Sequence, residues 1–97
     1  MKEILNQIYE IEMKSIKREV SFFERNIRRV YYEIEQLGYV LKNPLGEKYS
    51  IERTDIEANL MKEFYEGMRV SKVLKPIIYK KENDQMILVQ KGIVIVE

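Results

Sequence analysis

A chain of 97 residues, 45% hydrophobic and 34% charged, has room for one domain, is too apolar to be disordered, and contains no apolar run of bilayer length. Its net charge of +1 gives no global attraction to nucleic acid or to an anionic membrane surface. The absence of cysteine and histidine removes disulfides, thiolate metal sites, thiol nucleophiles and the commonest general base.

Little remains for catalysis. Asp55 and Asp84 are the only aspartates, and both sit in turn-like contexts. Gly38, Gly46, Gly67 and Gly92 form neither a P-loop nor a dinucleotide-binding pattern. No cofactor or metal is expected. Charged Lys2, Glu3 and Glu10 interrupt the first apolar residues, unlike a secretory leader. The expectation is a cytoplasmic binding protein that is not an enzyme.

Residues 1–37 contain neither glycine nor proline. Apolar residues recur there at alternating steps of four and three, at Tyr9, Met13, Ile16, Val20, Phe23, Ile27, Val30, Ile34 and Leu37. That spacing predicts one long amphipathic helix with a heptad seam, and Gly38 supplies its left-handed C-terminal stop. Met13, Val20, Ile27 and Ile34 take the a positions, and Ile16, Phe23, Val30 and Leu37 fall at d. Such a rod would be roughly 50 Å long, more than the remaining residues can cover. The seam from Met13 to Leu37 is therefore expected to pair with a second copy, as a coiled coil or a helical bundle.

Ile4, Ile8, Ile11, Phe22, Tyr31 and Tyr32 lie off the seam and widen the apolar surface. Lys14, Lys17, Arg18, Arg25, Arg28 and Arg29 make a local basic excess. A helix of this kind could lie along phosphates, but a solvated outer face explains it better, so nucleic acid is disfavoured as a partner.

After Gly38 the pattern changes to short apolar runs. Tyr39–Leu41 reads as a strand, 43–46 as a turn, and Tyr49–Ile51 as a second short strand. Thr54-x-x-Glu57 is a capping-box pattern, and Leu60, Met61, Phe64 and Tyr65 follow at helical spacing, so local rules predict a short helix over 54–66. Residues 70–79 are rich in β-branched side chains, with Pro76 pointing to an edge or a bulge. Glu82-Asn83-Asp84 is a hairpin loop between that segment and a strand over 86–89. The run Ile93-Val94-Ile95-Val96 has the continuous apolar character of a strand covered on both faces. The fold class is α+β: an N-terminal dimerisation helix over 1–37, then a β-rich module of four to six short strands over 38–97.

In that order, the pieces resemble the C-terminal part of GrpE, the nucleotide exchange factor of DnaK-type chaperones. The family closes a helix with glycine, follows with a Pro-x-Gly-x-x-aromatic turn and His-Glu-Ala-Val, and then an x-Gly-x-Val step. A hairpin and a valine-rich strand complete it. Here the matching pieces are Gly38-Tyr39-Val40, Pro44-Leu45-Gly46-Glu47-Lys48-Tyr49, Ile56-Glu57-Ala58-Asn59, Glu66-Gly67-Met68-Arg69-Val70, Val73-Leu74-Lys75-Pro76-Ile77 and Val89 to Val96. Ile56 stands where the family has histidine, and Asp84-Gln85 where its hairpin has Gly-Arg.

The resemblance implies a homodimer whose β wing binds the nucleotide-binding domain of a DnaK-type chaperone and promotes ADP release. By position in the family pattern, Pro44, Leu45, Val73, Gln85 and Val96 would face the chaperone. It also implies an extended chain at 57–62, against the local helical reading. A coiled-coil interaction module with a β cap and no exchange activity is the competing interpretation.

Overall fold

The computed structural model describes Met1–Glu97. The order of elements is α1 (Lys2–Lys17), α2 (Glu24–Gln36), β1 (Tyr39–Lys42), β2 (Ile56–Leu60), β3 (Val70–Lys75), β4 (Ile77–Glu82), β5 (Gln85–Gln90) and β6 (Gly92–Val96). The fold class is α+β, with six strands in two three-stranded sheets.

The single long helix is not formed. It is broken after Lys17, and the longest dimension of the molecule, 40 Å, is shorter than the unbroken rod. The break is a Schellman turn without glycine: the Glu19 N–H donates to the Ile16 carbonyl and the Val20 N–H to that of Ser15. Glu19 takes the left-handed conformation, φ 56°, that glycine usually provides. Nothing local demands this turn, although β-branched and aromatic Val20, Phe22 and Phe23 weaken the helix there. What stabilises it is burial, because folding back lets the first helix cover the second.

The two helices form a hairpin packed on one sheet. Leu5 of α1, Ile34 of α2 and Ile78 of β4 make a small core, lined further by Val30, Tyr31, Tyr39 and Leu41. The Tyr31 hydroxyl donates to Glu12 Oε1 at 3.0 Å, tying the helices together above that core. Below it, Asn6 and Gln90 exchange amide hydrogen bonds at 2.8 and 3.0 Å, fixing α1 to the end of β5. α2 stops where glycine predicts, with Gly38 at φ 91° and its N–H donated to the Glu35 carbonyl.

The first sheet has the order β1-β4-β5 and is antiparallel throughout. In the second, of order β2-β6-β3, β2 runs parallel to β6 and β3 antiparallel to it. Ile56, Met68, Val70, Ile77, Val94 and Val96 form the main core, to which both sheets contribute. Ile77 and Ile78 are adjacent and wholly buried, one in each core, because successive strand residues face opposite ways.

Pro76 is the point where the chain changes sheets. The expected single segment over 70–79 is two strands, β3 and β4, in different sheets, and the proline between them needs no ladder hydrogen bond. Residues 54–66 do not form the helix that local rules favour: Ile56–Leu60 is a strand, paired along its length with β6. The segment Tyr49–Ile51 is not a strand either, and only a Lys48–Arg69 bridge forms beside it. Between β4 and β5, Asn83 and Asp84 both adopt positive φ, 51° and 64°, the pattern of a type I′ hairpin turn.

Candidate interaction surface

The seam from Met13 to Leu37 is covered only in part inside the chain. Ile27 and Ile34 are each only 6% exposed, and Met13, Val20 and Val30 are half-buried. Ile16, Phe23 and Leu37 remain at the surface. The partner that the heptad pattern demands is thus supplied in part by α1 itself, through Leu5, which packs with Ile34. Leu5 escaped the sequence reading because it lies one position off the register that begins at Tyr9.

Apolar side chains left outside include Ile4 and Ile11 on α1 and Phe22 in the turn between the helices, the last 82% exposed. The basic face of α2 is partly neutralised within the helix: Arg28 pairs with Glu24, and Arg29 pairs with Glu33 at 2.8 Å while lying over the Tyr32 ring. At the inner face, burial and the neighbouring Glu12 carboxylate raise the Tyr31 phenol above its ordinary pKa, and the same causes raise that of Tyr9. No three acidic side chains gather closely enough to hold a metal ion, and no helix is long and apolar enough to cross a membrane.

Of the five head residues expected to face a chaperone, two have no surface to offer. Val96 is fully enclosed in the main core, and Pro44 is buried under its turn. Leu45 is exposed at that turn, held by the Leu45 N–H donating to Asn43 Oδ1 at 3.0 Å. Val73 is half-buried on β3, and Gln85 is exposed at the start of β5. The three accessible residues therefore lie on three elements, one of them in the other sheet.

No family model, curated protein or solved structure matches this chain. Its surfaces must be read from their own chemistry.

The most unusual of these surfaces is β5. Met86, Ile87, Leu88 and Val89 are four consecutive apolar residues, exposed by 50, 44, 37 and 38%. The strand lies at the edge of its sheet, paired only with β4. Its register sets Lys80 opposite Ile87 and Tyr79 opposite Leu88, so the apolar side chains leave on both faces. A strand over 86–89 was legible from β-branched and apolar composition. That it would stand at an edge, uncovered, was not, because strand order is not written in any local pattern.

Proposed function

We propose that the chain is a GrpE-like co-chaperone, a dimeric protein-binding module whose β-rich head engages the nucleotide-binding domain of a DnaK-type chaperone and promotes ADP release. One observation carries the reading. The head is built of six short strands, and of the segment 57–62 that the resemblance requires to be extended, against local helical rules, residues 57–60 lie in β2. The glycine-closed helix, the Pro44–Tyr49 turn and the final β6 strand stand in the same order around it.

The mechanism asks for no acid, base or metal. A head that binds the open nucleotide cleft more tightly than the closed one lowers nucleotide affinity by linkage. Leu45, Val73 and Gln85 are the contacts of the expected set with surface available. Release of labelled ADP from a DnaK-type chaperone tests the proposal: acceleration that saturates with added protein supports it, and an unchanged rate at saturating protein rejects it.

The exposed apolar quartet of β5 favours a second reading, a homo-oligomeric interaction module without exchange activity. A chaperone pull-down separates the two. Recovery of the chaperone is expected for the first reading and its absence for the second.

A further inference from the structure

Four strands of this fold stand at sheet edges: β1 and β5 in one sheet, β2 and β3 in the other. Edge strands expose unpaired backbone donors and acceptors, and monomeric proteins blunt them with charge, proline or bulges. Three of the four follow this rule. β1 carries Lys42, β2 carries Glu57, and β3 carries Lys72 and Lys75 together with two register shifts.

The fourth does not. Gln85-Met86-Ile87-Leu88-Val89-Gln90 contains no charge and no proline, and its one irregularity lies near its end, opposite Ile78 and Tyr79. Outside the helices and sheets, none of the backbone hydrogen bonds involves residues 85–90, so the outer edge of β5 has no partner within the chain.

The charges flanking the strand say what would fit there. Asp84 precedes it and Lys91 follows it, while Glu82 is held by Lys80 of its own strand at 3.4 Å. A strand added antiparallel would need an acidic group before an uncharged apolar run and a basic group after it, so that opposite charges face each other at both ends. The chain's own residues 84–91 have that order. Pairing about a two-fold axis sets the acidic end of each copy against the basic end of the other, and no like charges oppose within the six-residue strand.

We propose that β5 pairs antiparallel with β5 of a second copy, joining two three-stranded sheets into one of six strands. The inference rests on the homodimer of the proposed function and supplies its interface, in place of the helical seam that the chain covers in part by itself. Pairing occupies the edge of β5, including Gln85, and leaves Leu45 and Val73, on the Pro44 turn and on β3, accessible to a partner.

Sedimentation of the full chain over a concentration series tests this, with Ile87→Lys compared against Ile11→Lys as a helix-surface control. Wild type and I11K are expected to give twice the 11.7 kDa chain mass at the upper concentrations, and I87K the single mass with an unchanged circular dichroism spectrum. If I87K does not fold, Met86→Lys, at a more exposed position, takes its place. Amide exchange at residues 85–90 should slow as wild-type concentration rises. A dimer that I11K dissociates and I87K does not overturns the β5 interface while leaving the co-chaperone reading intact. A strictly monomeric wild type overturns both the interface and the dimer.

Discussion

The side-chain amides of Asn6 and Gln90 bond each other reciprocally across 84 positions of sequence, at 2.8 and 3.0 Å. Gln90 also donates to the Pro76 carbonyl at 2.8 Å. One half-buried amide thus joins the first helix, the end of β5 and the proline where the chain changes sheets. Asn6→Ala removes both bonds of the pair and is expected to cost about 1 kcal/mol in urea unfolding. In a double-mutant cycle with Gln90→Ala, the coupling should be about 0.5–1.5 kcal/mol, and a coupling near zero would show that the pair does not hold the helix to the sheet.

Ile78 is wholly buried between the helical hairpin and the first sheet, whereas Phe22 lies in solvent at the helical turn. Ile78→Ala is expected to destabilise by about 2–4 kcal/mol, since the helices and sheet cannot both relax into the space left. Phe22→Ser should stay within about 0.5 kcal/mol of wild type. Denaturant midpoints at constant m-value measure both.

Gly92 opens β6 against the main core. A Cβ there would meet Ile77 Cγ1 at 2.9 Å, Ile56 Cγ2 at 3.3 Å and the Lys75 carbonyl oxygen at 3.3 Å. Those neighbours are enclosed, so the strand itself must shift. Gly92→Ala is expected to destabilise by about 1–3 kcal/mol by overpacking, read as a fall in thermal midpoint. No loss of stability would mean that β6 moves freely against β4.

Arg53 ties the loop before β2 together through its guanidinium bonds to Asp55, at 2.7 and 2.9 Å, and through Glu47 at 3.1 Å. The hydrogen bonds from Arg53, and then its charge, hold the Asp55 carboxyl below its ordinary value of 3.8. A depressed pKa in the folded state contributes stability that is present above the ordinary value and is lost as pH falls below it. Acid unfolding curves should therefore steepen below about pH 4, and Asp55→Asn should flatten that region while leaving the neutral-to-alkaline slope unchanged.

Tyr31 shows the opposite linkage. Burial, then the Glu12 charge and its hydrogen bond, raise the phenol above its ordinary value of 10.0. The stability it contributes is complete below that value and disappears as pH rises above it. Spectrophotometric titration of the seven tyrosines should show late ionisation from Tyr31 and Tyr9, and Tyr31→Phe should remove the later component.

Much of the head was legible because its signals are local. Gly38 ends α2 since a left-handed residue is needed there, Asn83-Asp84 tolerate the positive φ of a tight hairpin, and the run from Ile93 to Val96 marks a strand, although only Val94 and Val96 of it are fully buried. Of the expected binding residues, Leu45, Val73 and Gln85 kept some surface. Pro44 and Val96 did not, because an apolar strand or turn residue carries no mark that separates contact from core.

What the sequence by itself determined is where helices, turns and strands can exist, and which side chains must leave water. Tertiary structure alone decided how those demands were met. The heptad stripe found its cover when Glu19 accepted a left-handed turn, because burying Leu5 against Ile34 and Ile78 outweighs the strain of one residue. Residues 56–60 became a strand because β6 offered a parallel ladder, a long-range pairing that overrides local helical preference. β5 was left at an open edge by strand order, a property that belongs to the whole fold.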